Sequence, residues 1–192
     1  MIVQQPLKTQ KSLVGVRPKD VLSHGPTKLL IDKYIWHSPD VGIVACYSPK
    51  SRDVKDHFRI FRGVDQVEAF AQSTIVSCGA FLERQKKDCS FDELKKLFIP
   101  VFISVGQVNF HSYLEEGDTF INIGQITFYK FRQMACSGRI YKVPKGLNLN
   151  EYFKHFTEQR LLTYNLSSDF ILIAELENVT GRAIKKENLE KN

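Results

Sequence analysis

The chain has 192 residues, of which 43% are hydrophobic and 25% are charged, proportions typical of a globular protein. This length is enough for one domain that buries about 70% of its unfolded surface. No apolar run reaches about 18 residues, which excludes a membrane-spanning helix, and the first residues lack the basic and apolar regions of a signal peptide.

The net charge of +6 and the isoelectric point of about 9.1 leave three interpretations open. The basic excess is a solvated surface, a surface for an acidic partner, or a nucleic-acid interface. A nucleic-acid interface requires basic residues clustered with aromatic residues on one face. Here the basic residues are scattered, apart from the pairs at 95–96 and 185–186, so we predict no nucleic-acid partner.

The four cysteines, at positions 46, 78, 89 and 136, have no metal-ligand spacing. We therefore expect reduced thiols and a cytoplasmic protein. Cys78 belongs to an apolar helical pattern and is predicted to be a packing residue.

The first part of the chain predicts an arm followed by a β-hairpin. Residues 1–19 are polar, contain two prolines and are predicted to be a loose arm. Residues 21–26 predict a short turn that ends at a Gly-Pro pair. Apolar, β-branched and aromatic residues then predict strands at 29–36 and 41–47, joined by a turn at 38–40.

The segment from Val64 to Lys87 has the most regular apolar pattern. Apolar or small side chains recur at steps of three and four, which predicts a helix with one buried face. These residues are Val64, Val67, Ala71, Ile75, Cys78 and Leu82. Glu68 lies inside this run, and a carboxylate in an apolar helix is costly to ionise, so we expect its pKa to be raised.

A candidate base lies next to this helix. His57 is in the loop just before it, and Gly63 opens it. An acid and a base are therefore expected close together around a glycine. We interpret this arrangement as a candidate proton-transfer site.

The second half of the chain has mainly strand patterns. A short helix is predicted at 90–97, with Ser90 as its candidate N-cap, and a turn is predicted at Gly117-Asp118. The predicted antiparallel strands are 101–110, 119–129, 133–142 and 170–182. One long helix beside five to six antiparallel strands is an α+β fold.

We assign a single domain to residues 20–182 and a charged tail to residues 183–192. Within the domain, residues 144–169 are interpreted as an insertion in the last hairpin, with a helix predicted at 151–162. Three roles are open for this insertion: capping a tunnel, binding a partner, or covering a sheet edge.

Three segments match one family pattern in chain order. They are residues 23–32 (SHGPTKLLID), then His57-Phe58, Gly63-Val64 and 68–72 (EAFAQ), and finally residues 108–118 (VNFHSYLEEGD). Together they resemble the β-hydroxyacyl-(acyl-carrier-protein) dehydratase family of the FabA/FabZ type, over roughly residues 20–143. The loop between His57 and Gly63 departs from that family, because it is shorter and carries Arg59-Ile60-Phe61-Arg62 in place of the family's prolines and first glycine.

The resemblance implies a hotdog fold, in which a curved antiparallel sheet of five to six strands wraps the long central helix. It implies dehydration, or reverse hydration, of 3-hydroxyacyl thioesters in fatty acid biosynthesis. The implied partners are acyl carrier protein or a coenzyme A thioester, and a second copy of the chain in a homodimer or higher oligomer. No metal and no organic cofactor is expected.

Dehydration of this kind needs a base beside the thioester carbonyl, an acid for the leaving hydroxyl, and a donor for the developing oxyanion. The resemblance implies that His57 and the acid come from opposite subunits. We predict His57 as the base and a protonated Glu68 as the acid. The Gly63 N–H is the predicted oxyanion donor, with Val64 and Gln72 as further substrate contacts.

Other interpretations stay open. His24 and His111 are predicted to be structural. Arg59 and Arg62 are predicted to be solvated, with contact to the acidic carrier or to a phosphopantetheine phosphate as the alternatives. The whole chain is alternatively a non-catalytic acyl-chain or carrier-binding protein, or a thioesterase in which Glu68 activates water.

Overall fold

The structure is a computed structural model that describes residues 10–188. In chain order its elements are α1 (Pro18–Val21), β1 (Lys33–Ser38), β2 (Gly42–Tyr47), α2 (Ser51–Val54), β3 (Ile60–Phe61), α3 (Gly63–Ala71), a π-helical turn (Gln72–Val76), α4 (Ser77–Lys87), α5 (Phe91–Leu97), β4 (Phe98–Ser104), β5 (Gln107–Phe110), β6 (Leu114–Glu115), β7 (Phe120–Lys130), β8 (Gln133–Lys142), α6 (Leu149–Phe153), α7 (Glu158–Leu162), β9 (Ile171–Lys185) and a 3₁₀ turn (Lys186–Asn188). In residues 10–188, no helix is both long enough and apolar enough to cross a membrane.

Seven strands form one antiparallel sheet, in the order β1-β2-β7-β8-β9-β4, and β5 pairs with another stretch of β9. β3 and β6 form a separate two-stranded sheet. The predicted α+β layout is confirmed. The strand predicted at 101–110 is divided at Gly106, whose N–H donates to the Glu177 carbonyl at 3.0 Å, next to the left-handed backbone of Asn178.

The central helix runs without a break from Gly63 to Lys87, as predicted, and includes one π-helical turn. This turn contacts β2, β7, β8 and β9, so it lies over the middle of the sheet. Hydroxyls of this turn and of the residue after it bond back to the helix: Thr74 Oγ1 donates to the Phe70 carbonyl, and Ser77 Oγ donates to the Gln72 carbonyl, each at 2.7 Å. Such bonds supply partners for backbone carbonyls where the helical ladder changes from α to π.

Strand glycines bring the helix close to the sheet. A Cβ at Gly138 would lie 2.7 Å from the Phe70 ring, and a Cβ at Gly124 would collide with Thr74. Gly181 has a similar close approach to the helix. The missing side chains therefore set the spacing between the two layers of the core.

The described part of the predicted loose arm is packed, which corrects the prediction for residues 10–19. Leu13 is fully buried, and its N–H donates to His37 Nδ1 at 3.1 Å. His37 is itself buried against Phe81, with the two rings 4.8 Å apart. The apolar side chain of Leu13 fills the core, and His37 satisfies the adjacent backbone donor. Residues 1–9 lie outside the described residues, as do 189–192 of the predicted tail.

The segment between β8 and β9 packs on a face of the sheet. Trp36 Nε1 donates to the Phe156 carbonyl at 3.0 Å, and the Trp36 and Phe156 rings are 5.7 Å apart. The apolar cluster under this segment is Ile35, Val44, Ile121, Ile123, Tyr141, Val143, Phe153, Phe156, Leu161 and Phe170. The helix predicted at 151–162 is two short helices. The segment covers the face of the sheet opposite the central helix.

Burial of Phe156 predicts that this segment is integral to the domain. We expect Phe156→Ala to lower the free energy of unfolding by about 3–5 kcal/mol, because it leaves a cavity over the sheet. Leu162→Ala, on the same segment but half-exposed, serves as the control and should cost less than about 1 kcal/mol. The free energy of unfolding is measured by urea denaturation, and an equal loss in the two variants would contradict this packing.

Burial lowers the pKa of His37 to about 4 from its ordinary value of 6.5. Between about pH 6.5 and pH 4, His37 is mostly protonated in the unfolded chain and mostly neutral in the folded chain. The free energy of unfolding therefore falls as the pH drops through this range. We expect a loss of up to roughly 3 kcal/mol over this range. In denaturation experiments at several pH values, His37→Gln should make the free energy of unfolding depend less on pH than in the wild type. His155→Gln, at an exposed histidine, is the control and should leave this dependence unchanged. The same pH dependence in all three proteins would contradict the assignment to His37.

Candidate active site

Glu68 lies on α3, and its side chain is 43% exposed. Its Oε1 accepts a hydrogen bond from Gln72 Nε2 at 2.9 Å and lies 3.4 Å from His24 Nε2. Two side chains from different parts of the chain therefore orient one carboxylate. The Glu68 side chain is nevertheless partly exposed to solvent.

The predicted raised pKa of Glu68 is wrong. The hydrogen bond from His24 holds the pKa of Glu68 below its ordinary value of 4.5, and the Gln72 hydrogen bond and the Lys28 charge act in the same direction. Burial opposes this shift but is incomplete. Glu68 is therefore a carboxylate at neutral pH, which suits a base rather than an acid.

Gln72 is fully buried in the π-helical turn. Its Oε1 accepts the Leu30 N–H at 2.9 Å, and its Nε2 donates to the Lys28 carbonyl at 2.7 Å as well as to Glu68. Both amide hydrogens are therefore used, and the amide joins the loop before β1 to the central helix. In this structure Gln72 positions Glu68; the predicted contact between Gln72 and substrate stays a prediction.

His24 is the histidine that the structure brings to Glu68. It is 23% exposed, and its Nδ1 is buried with no hydrogen-bond partner in the described part of the chain. Sequence reasoning assigned His24 a structural role. The match at 23–32 was the sequence signal for this pairing. The same segment contains the Leu30 N–H and the Lys28 carbonyl, which Gln72 binds, and these bonds bring the segment to the helix.

His57 lies apart from this group in its own protomer. It is exposed, and its Nδ1 lies 3.2 Å from the Ile60 carbonyl. The next two residues, Phe58 and Arg59, both have left-handed backbone, with φ of 52° and 63°. In residues 10–188, no hydrogen bond or ion pair joins His57 to Glu68, to His24 or to Gln72.

Gly63 begins α3 beside an exposed aromatic ring. A Cβ at this position would lie 2.8 Å from the Phe110 ring, so the glycine allows Phe110 to pack on the helix start. The Arg62 carbonyl accepts the N–H groups of the first helical turn, from Asp65 and Gln66. Val64 is 68% exposed. The predicted roles of Gly63 and Val64 toward substrate stay predictions.

The charged residues of the loop are paired. Arg59 forms an ion pair with Glu116 at 3.2 Å, and Arg62 forms two hydrogen bonds with Asp65. His111 pairs with Glu175 at 3.0 Å. Each of these groups therefore has a local structural partner.

A cleft of about 640 Å³ lies beside His24. The N-terminal segment, the loop before β1 and the start of α2 form its walls. Its charged lining consists of Arg17, Lys19, Lys33, Lys50, Arg52 and Asp32. A volume of this size is within the range of small-molecule sites.

Removal of the Gln72 amide should loosen this site. We expect Gln72→Leu to lower the free energy of unfolding by about 2–4 kcal/mol, because the Leu30 N–H and the Lys28 carbonyl lose their partner. Hydrogen exchange at the Leu30 amide should accelerate. Gln85→Leu, exposed on the same helix, is the control and should change neither quantity; unchanged Leu30 exchange in Gln72→Leu would show that the loop is held by other contacts.

Several solved structures are similar to this chain. The dehydratase heterocomplex ApeI:P from Xenorhabdus doucetiae matches with 12% identity and a TM-score of 0.63, over 92% of this chain and 96% of that chain. A 1,4-dihydroxy-2-naphthoyl-CoA thioesterase from Synechocystis matches with 10% identity and a TM-score of 0.46, over 76% and 83%. A Staphylococcus aureus protein in complex with CoA matches with 14% identity and a TM-score of 0.47, over 83% and 75%.

No protein-family model matches the chain, and no curated protein matches it. These similarities occur at 10–14% sequence identity, and they show the fold alone. Membership of the dehydratase family stays a prediction. The chain has the hotdog fold, with an antiparallel sheet packed on a long central helix.

Proposed function

We propose that the chain catalyses dehydration, or the reverse hydration, of 3-hydroxyacyl thioesters, in an active site completed by a second subunit. The observation that carries this proposal is the carboxylate of Glu68. His24 and Gln72 orient this carboxylate, while the Glu68 side chain stays 43% exposed. A fixed, ionised and accessible carboxylate on the central helix is suited to proton transfer.

The ionisation of Glu68 reverses the roles assigned from sequence. Glu68 takes the proton from the carbon beside the thioester carbonyl. Protonated His57 donates to the leaving hydroxyl, the carbon–oxygen bond breaks, and water leaves as the carbon–carbon double bond forms. The Gly63 N–H, at the start of a long helix, stabilises the negative charge that develops on the carbonyl oxygen.

Two subunits are proposed because no contact joins His57 to Glu68 within residues 10–188 of one chain. Four exposed apolar side chains lie on the elements near the helix start: Phe58, Val64, Phe110 and Tyr113. In residues 10–188, β5 pairs on one side only, with β9. An apolar surface beside an open strand edge is suited to strand pairing between copies. The partner is a second copy of the chain; the ApeI:P assembly, described as a heterocomplex, makes an unlike subunit the alternative.

A thioesterase is the second candidate. The low pKa of Glu68 favours it, because a carboxylate that is charged at neutral pH can activate water for attack on a thioester carbonyl. His57 has no part in that reaction. Release of a free thiol, rather than formation of an enoyl product, distinguishes the two activities.

We expect 3-hydroxyacyl thioesters, on coenzyme A and on acyl carrier protein, to be converted to enoyl products. Glu68→Gln and His57→Ala should each lower turnover at least about 100-fold, because each removes a proton-transfer group. His155→Ala, at an exposed histidine elsewhere, should retain wild-type turnover. Thiol release that depends on Glu68 but not on His57 would replace the dehydratase with a thioesterase.

Mixing the two inactive variants tests the shared site. In a dimer with His57 and Glu68 from opposite chains, random pairing makes about half of all dimers mixed, and each mixed dimer has one intact site of two, so activity should return to about a quarter of wild type. No recovery after co-expression, with mixed dimers demonstrated, would place both groups in one chain or exclude one of them from the reaction.

A further inference from the structure

The cleft beside His24 has an excess of positive charge. Five cationic side chains and one carboxylate line it. Three of the cations are partly compensated: Arg17 by Asp20 at 2.7 Å, Lys50 by Asp32 at 3.2 Å and Arg52 by Asp53 at 3.4 Å.

These pairs leave the cleft positive. The pairs of Arg17 and Lys50 join exposed side chains, and exposed ion pairs contribute little energy. Lys19 and Lys33 form no ion pair in residues 10–188, and Lys33 Nζ donates to Asn150 Oδ1. A ligand with at least two negative charges would therefore complement the cleft.

The cleft also has an apolar part. Val16, Leu29 and Ile31 line it together with two prolines. A flat heterocyclic base can pack on such a surface while its phosphates meet the cations. A concave site of this kind fits a small molecule better than the broad surface of a protein partner.

The cleft and the candidate active site share one residue. His24 lines the cleft and also contacts Glu68. A molecule with a charged nucleotide at one end and a thioester on a neutral arm at the other matches this order of groups.

We propose that the cleft binds the phosphorylated nucleotide of a coenzyme A thioester, with the pantetheine arm directed past His24 to Glu68. The inference rests on the proposed function for the thioester end. Nucleotide binding itself is measurable without turnover, so failure of one proposal is separable from failure of the other.

Calorimetric titration with adenosine 3′,5′-diphosphate and with coenzyme A tests the site, and pantetheine, which lacks phosphate, is the comparison ligand. We expect both nucleotides to bind to the wild type, more weakly as salt rises. Lys19→Glu/Lys33→Glu should weaken them at least about tenfold. Lys145→Glu/Lys154→Glu is the matched control, because it makes the same change in net charge at exposed lysines outside the cleft and should weaken binding less than about twofold.

Kinetics provides a second readout. The cleft variant should raise KM for the coenzyme A thioester with little change in kcat, and should leave the carrier-protein substrate unaffected. If both double variants weaken nucleotide binding equally, the effect comes from the net charge of the surface, and the proposed site is wrong. Turnover of the carrier-protein substrate without any nucleotide binding would also overturn it, and would assign the carrier protein as the partner.

Discussion

The buried amide of Gln72 is the constraint on which the candidate site depends. It satisfies a backbone donor and a backbone acceptor of the loop before β1, and it also donates to Glu68. An amide buried without these bonds would destabilise the fold, so the loop must return to the helix at this point. That return also carries His24 to the carboxylate, and it thereby sets both the orientation and the charge of Glu68.

The position of Gln72 depends in turn on how closely the central helix meets the sheet. Glycines on the strands admit Phe70 and Thr74, which would otherwise collide with a Cβ. The π-helical turn lies at this close contact and includes the fully buried Gln72. The helix start is held separately, by the packing of Phe110 against Gly63. Two separate contacts, one at the middle of the helix and one at its start, therefore position the residues of the candidate site.

The two faces of the sheet serve different purposes. One packs on the central helix and supports the candidate site. The other is covered by residues 144–170, whose aromatic side chains pack around Trp36. The surface near the helix start stays exposed and apolar, while the cleft by His24 is basic. The open surfaces that remain near Glu68 are thus chemically distinct, which fits a site that receives a partner on one side and a charged ligand on the other.

The sequence by itself determined the elements whose signals are local. The apolar period predicted the helix up to Lys87, and Ser90 caps α5 as predicted, because caps and periodicity depend on residues within a few positions. The tertiary structure alone decided the ionisation of Glu68. The apolar helix suggested a neutral acid, but His24, distant in sequence, supplies the hydrogen bond that outweighs burial. A pKa reports every charge and donor around a group, and those neighbours exist only once the chain is folded.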